Sequence, residues 1–259
     1  MQQQDVRGRF LWYDLMTTNP KGAQEFYAKV AGWGLQPFPD PSVPYTMFTR
    51  GGNPIGGSMQ LPDEAVKMGA PSHWIAYIGT PDVDEVAAAN QAAGGRTYVP
   101  PKDIPNVGRF TVLADPQGAT VAFFTPSAEQ PASHPPELGD FSWHELVTSD
   151  LDGGAKFYAA HAGWEKTGEH DMGPMGVYHM FGRQGVTLGG MFEKPADMPA
   201  PSHWMLYIRV ADINTSVDVV KANGGQVVNG PMEVPGGDWV VNCVDPQGAF
   251  FALHQRKAG

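Results

Sequence analysis

Two stretches decide the fold: APSHWIAYI…DPQGATVAFF at Ala70–Phe124 and APSHWMLYI…DPQGAFFALH at Ala200–His254. They align at a constant offset of 130 across 55 positions without a gap, and nineteen of those positions are identical. Upstream, FLWYDLMTTNPKGAQEFYAKVAGW (Phe10–Trp33) matches FSWHELVTSDLDGGAKFYAAHAGW (Phe141–Trp164) at an offset of 131. Between them, YTMF (Tyr45–Phe48) and PIGG (Pro54–Gly57) match YHMF (Tyr178–Phe181) and TLGG (Thr187–Gly190) at 133. The chain is one unit written twice, and self-similarity on that scale takes precedence over any local reading. The join, SAEQPASHPPELGD (Ser127–Asp140), is polar and Pro-rich, as a linker should be. The expected domains are therefore 1–126 and 141–259, with 127–140 between them.

A finer rhythm runs inside each copy. A strand-like run, Phe10–Met16, meets a helix start at Asn19-Pro20, where a capping side chain precedes a Pro in the first turn. Ala23, Phe26, Tyr27 and Val30 then recur at helical spacing, and Gly32 ends the helix. Strand-like runs follow at Tyr45–Thr49 and Ile55–Leu61. The pattern restarts with a strand at His73–Gly79, a helix at Asp82–Ala93 ending in Gly94-Gly95, and strands near Thr97–Val99, Arg109–Ala114 and Ala119–Thr125. The second copy repeats it, with Asp212 near the start of its last helix and Gly224-Gly225 at the end. The reading is α+β: four βαβββ modules in two pairs.

Composition narrows the function. Lys and Arg number 17 against 27 Asp and Glu, a formal net charge of -10, which argues against nucleic acid and anionic membrane surfaces. One cysteine, Cys243, excludes an intrachain disulfide or a multi-Cys zinc site. It sits on a strand without an obvious cationic partner and reads as core. The polar Met1–Arg9 has no apolar signal core, and no stretch approaches the length needed to span a bilayer, so a cytoplasmic location is expected. A monomer or homodimer that takes a small-molecule ligand fits these limits. No Walker or dinucleotide fingerprint is present.

The combination of Phe26-Tyr27, Gly32-Trp33 and Asp115-Pro116-Gln117-Gly118 with Thr148–Leu151, Phe157-Tyr158, Gly163-Trp164 and Asp245-Pro246-Gln247-Gly248 resembles the vicinal oxygen chelate superfamily. That superfamily includes glyoxalase I, extradiol dioxygenases and bleomycin-resistance proteins. The resemblance implies that paired modules form two glyoxalase-like, cup-shaped domains. It also implies a metal site that can be tested by position. The first-strand ligand falls on Trp12 and Trp143, the next on Ile75 and Met205, the last-strand Glu on Ala122 and Ala252, and the remaining position near Met59–Gln60 and Phe192–Glu193, so three of the four positions are apolar in both copies. Such residues supply no donors to a divalent cation. The expectation is no cofactor, with the metal site degenerate in both copies. A shifted site on Glu145, His203 and His254, with Glu193, is the alternative.

Strand alternation predicts what lines the cups instead. In the second copy these are Trp143, Glu145, His203, Tyr207, Arg209 and His254; in the first, Trp12, Asp14, His73, Tyr77 and Phe124. Glu145, His203 and His254 are the candidate catalytic groups, and the remainder are candidate ligand contacts. Each has a structural alternative. His73 and His203 sit in identical PSHW contexts and suit a strand-start histidine bonded to backbone. The carboxylate of Glu145 or Asp14 suits a general base or a partner of a neighbour such as Arg209. His254, near the C-terminus, suits a solvent-exposed imidazole. Tyr13 and His144 face the helix side and read as structural. The expected function is metal-free binding of a flat, largely apolar organic molecule in a resistance, sequestration or pathway-assisting role. The alternative is a glyoxalase-type lyase, isomerase or dioxygenase.

Overall fold

A computed structural model describes residues 5–257; of the polar N-terminal stretch, Met1–Gln4 fall outside them. The first copy runs β1 (Phe10–Thr17), α1 (Pro20–Val30), β2 (Gly34–Pro37), β3 (Tyr45–Arg50), β4 (Asn53–Gln60), α2 (Asp63–Lys67), β5 (His73–Gly79), α3 (Val83–Ala92), β6 (Arg96–Ile104), β7 (Gly108–Ala114) and β8 (Thr120–Pro126). The second runs β9 (Phe141–Thr148), α4 (Leu151–Ala162), β10 (Glu165–Asp171), β11 (Val177–Arg183), β12 (Val186–Glu193), β13 (His203–Arg209), α5 (Ile213–Ala222), β14 (Gln226–Glu233), β15 (Trp239–Val244) and β16 (Phe250–Gln255). The fold class is α+β with four βαβββ modules, as expected. Each copy contributes one eight-stranded mixed sheet, ordered β2-β3-β4-β1-β5-β8-β7-β6 and β10-β11-β12-β9-β13-β16-β15-β14.

Local chemistry fixes the helix starts. Asn19, Asp82, Asp150 and Asp212 each cap a helix, accepting from the amides of Gly22, Glu85, Gly153 and Thr215 at 3.1, 2.9, 2.9 and 2.7 Å. Such caps are worth about 1 kcal/mol apiece. Alternation missed the short strand β2, whose residues are all exposed and so carry no apolar period. It also missed α2, one turn and a half with no buried residue.

The chain divides into two compact units, and each draws on both copies. One holds the chain through Trp12, Ala76–His134 and His144–Trp204; the other holds Tyr13–Ile75, Pro135–Trp143 and Met205 onward. The first is built from the second and third modules, the other from the first and fourth.

In the first unit, Ile78, Val86, Leu113, Val121 and Phe123 share a core with Leu146, Phe157, Tyr158, Trp164, Phe181 and Trp204. Here the repeated motifs find their purpose. The Trp204 indole donates to the Tyr158 hydroxyl (3.1 Å), which donates to the Asp115 carboxylate (2.9 Å). The other Asp115 oxygen closes its own turn by accepting from the Gln117 and Ala119 amides. DPQG is thus a turn, not a phosphate loop.

The second unit repeats the device. Trp74 donates to Tyr27 (2.9 Å) and Tyr27 to Asp245 (3.2 Å), while Phe26 meets Phe251 edge-on at 5.7 Å. Burial pushes both aspartate carboxyls above their ordinary value against the pull of their hydrogen bonds. Charges kept in such places are retained only when fully bonded. PSHW, FY and DPQG form one network, and its strands and helices come from different copies.

The GW motif does related work. Trp164 donates to the Gly8 carbonyl (2.8 Å) and Trp33 to the Gly139 carbonyl (2.7 Å). Gly8 and Gly139 have φ of 74° and 85°, a region that favours glycine. A Cβ on Gly8 would overlap the Ala162 carbonyl. Just beyond each glycine, Phe10 stacks on His144 at 3.5 Å and Phe141 on Tyr13 at 3.9 Å. Tyr13 and His144 are therefore structural, as their strand face implied. Cys243 is fully buried, and burial pushes its thiol up to about 12.

Candidate functional site

The sheet face away from the helices is where the sequence places the site. On β9, Leu146 enters the core while Glu145 points the other way; on β1, Leu15 is fully buried on the helix side and Asp14 faces opposite. Three positions on which the resemblance places metal ligands, Trp143, Met205 and Ala252, meet in the second unit. Met205, Tyr207 and Ala252 form one cluster, with Trp143 and Val240 packed on it. Tyr207 and Ala252 are direct register partners across the parallel pair β13–β16. Trp143, Met205 and Ala252 present an indole, a thioether and a methyl group. That donor set does not fit a divalent cation. Among the described residues, no three His, Cys, Asp or Glu side chains group as metal ligands, the shifted set of Glu145, His203, His254 and Glu193 included.

The polar residues have specific partners. Glu145 accepts from the Tyr178 hydroxyl at 3.0 Å, and Asp14 accepts from the Tyr45 hydroxyl at 2.5 Å. His73 Nδ1 lies 2.7 Å from the Pro71 carbonyl and His203 Nδ1 2.8 Å from the Pro201 carbonyl, the backbone contact that their shared PSHW context suggested. Burial pulls the His73 imidazole below its usual value, with the Pro71 bond opposing. The Arg209 guanidinium donates to the Pro136 carbonyl, and its backbone pairs with Gly139 and Asp140 at 2.8 Å. Tyr77 meets Phe124 edge-on at 6.5 Å and lies 6.2 Å from Phe110; Trp12 is half-buried.

His254 is a correction to the solvent-exposed reading. It is only 9% exposed and bridges two groups, with Nδ1 2.8 Å from the Ser142 hydroxyl and Nε2 2.8 Å from Asp238. Position near the chain end misled because β16 is an inner strand of its sheet, flanked by β13 and β15. Burial acts to raise the Asp238 carboxyl, but the Lys257 amide and His254 outweigh it and leave it below its usual value. Ser142 also donates to the Tyr207 carbonyl at 3.3 Å. Ser142 and Asp238 escaped sequence reading because the first copy has Leu11 and Gly108 at the matching offsets.

Tyr45 and Tyr178 were missed for a different reason. They stand in the repeated YTMF and YHMF, and the glycines beside them stand in PIGG and TLGG, so the signal was present as paired repeats. In the register, Gly57 is the partner of Asp14 and Gly190 of Glu145. Only the sheet order reveals that each tyrosine sits one strand further out.

Comparison with known proteins agrees with this architecture. Residues 141–253 match the model of the Glyoxalase/Bleomycin resistance protein/Dioxygenase superfamily. CFP32 of Mycobacterium tuberculosis, named as a candidate glyoxylase, is 32% identical over 245 residues, covering 93% of this chain and 92% of its own. The anthracycline biosynthesis protein DnrV of Streptomyces peucetius is 27% identical over 260 residues, covering 96% and 93%. Among solved structures, the 2,3-dioxygenase LapB of Pseudomonas sp. KL28 superposes with a TM-score of 0.65 at 13% identity, covering 98% of this chain and 94% of its own, a likeness of fold. Duplicated βαβββ modules and a full-length relative together settle the point: the chain belongs to the glyoxalase, bleomycin-resistance and dioxygenase superfamily.

Proposed function

We propose that the chain binds a small, flat, largely apolar organic molecule without a metal, in a resistance, sequestration or pathway-assisting role. One observation carries this reading: Trp143, Met205 and Ala252, the positions on which the resemblance places metal ligands, cluster together with Tyr207. Aromatic and thioether side chains suit the face of an unsaturated ring system. The name of DnrV, an anthracycline biosynthesis protein, points to the same kind of ligand. We place the protein in the cytoplasm, as a monomer or homodimer, consistent with its single buried cysteine and with no helix among the described residues long and apolar enough to cross a membrane.

A second reading is enzymatic, a lyase, isomerase or dioxygenase of the glyoxalase type, and the name of CFP32 favours it. In that reading Glu145 is the base, poised by Tyr178, with His203 of the same unit as acid; His254 belongs to the other unit. Titration with polycyclic aromatics, followed by tryptophan fluorescence and by product analysis, separates the two. Saturable quenching with the probe recovered unchanged supports binding. Turnover of a methylglyoxal–thiol adduct that is lost in Glu145→Gln would overturn it.

A further inference from the structure

We propose that the helix side of the second copy carries a further small-molecule site, distinct in its residues from the sheet-face site, and that it takes an aromatic amine.

The site lies within one compact unit, between α4 and the strands β10–β12. Asp152, Ala155 and Ala159 follow at spacings of three and four along α4 and so share one face of it. Opposite the two alanines, Trp164, Phe181 and Met191 line an apolar cavity of about 250 Å³. A second cavity of about 480 Å³ opens at the start of the helix, between Asp152, Glu193 and the exposed Met175 and Val177. His179 lines both.

The first copy has side chains where the second has space. There Gln24 on α1 donates to Ser58 on β4 at 3.0 Å, a bridge from helix to sheet. Ala155 and Met191 stand at the matching offsets of 131 and 133 and make no such bridge. Leu61, fully buried in the first copy, is matched by Lys194, which lines the larger cavity and donates to the Met198 carbonyl at 3.1 Å.

Charge selects the occupant. Asp152 and Glu193 stand where the first copy has Lys21 and Gln60, so one positive charge gives way to two negative ones. Both carboxylates are exposed, and neither has a partner among the described residues. Asp150, by contrast, commits its carboxylate to the Gly153 amide. Around the apolar cavity Lys156 and Glu165 oppose each other in sign, and Lys166 pairs with Glu169. An indole-sized ring suits the apolar end, and an ammonium on a short arm suits the acidic end. A carboxylate on the same arm meets like charge.

NMR of the full chain with methyl-labelled methionine, titrated with tryptamine, tryptophol and indole-3-propionate, tests the proposal. Met191 and Met175 report the two cavities, and Met205 reports the sheet face. Tryptamine is expected to move Met191 and Met175 together, binding about fivefold more tightly than tryptophol, with indole-3-propionate weakest and the preference fading as salt rises. Asp152→Lys/Glu193→Gln, which restores the first copy's residues at exposed positions, should cancel the preference for the amine while tryptophol still binds. Ala155→Gln, with thermal melting as the folding control, should remove the Met191 response to all three probes. Unmoved Met191 and Met175 signals, equal affinities for the three probes, or an amine preference that survives the charge reversal would overturn the assignment. A shift of Met205 alone would overturn it too and leave the sheet-face binding function standing, whereas amine-selective shifts of Met191 and Met175 support it whatever the sheet face binds.

Discussion

His144 concentrates the residue-scale physics of the molecule. Its ring stacks on Phe10, its Nδ1 meets the Leu188 carbonyl at 2.9 Å, and burial pulls its imidazole down to about 4 from 6.5. A histidine depressed in the folded state contributes stability that is fully present above its unfolded value and lost as pH falls through its folded one. The protein should therefore lose on the order of 3 kcal/mol from this group between about pH 6.5 and 4. Denaturant titrations at a series of pH values check this: His144→Phe should flatten that limb of the profile, and an unchanged slope would contradict it. Cys243 gives a second check. Its raised thiol and full burial predict negligible alkylation by iodoacetamide in the native protein and rapid labelling in urea. His144 was legible because alternation along β9 fixed which side it faces, and Cys243 because a lone strand thiol without a cationic partner belongs to the core. His254 was not, since burial of a strand depends on its neighbours in the sheet, which the chain order does not disclose.

At the scale of elements, the repeated motifs are mostly structural. Trp74, Tyr27 and Asp245 form one buried chain of hydrogen bonds, as do Trp204, Tyr158 and Asp115. Tyr27→Phe keeps the shape but leaves the Trp74 indole and an Asp245 oxygen without their shared partner. It should cost about 1–3 kcal/mol, measured by chemical denaturation, and a neutral result would remove the network from the account. Helix starts were readable from Asn19, Asp82 and Asp212 because capping is a local matter. The carboxylate–tyrosine pairs were not, because Tyr178 and Glu145 stand 33 positions apart and meet only through the glycine on the strand between them. The motifs that announced the family thus say little about its ligand.

On the scale of the whole molecule, duplication in sequence and division in space differ. The second and third modules make one compact unit and the first and fourth make the other, so the linker joins copies whose cores are shared. Residues 1–126 alone should therefore be unfolded or associate as a dimer that restores both pairings; light scattering that finds a folded monomer would contradict this. The largest claim is that the family's fold persists here without the family's metal, because the converging positions are Trp143, Met205 and Ala252. Elemental analysis of the purified protein, with add-back of manganese, iron, nickel and zinc during aromatic titration, tests it most directly. The account predicts far less than one ion per chain and an aromatic affinity unchanged by chelator or by any of the four metals. One tightly held divalent ion per site, or binding that appears only after metal is restored, would contradict it.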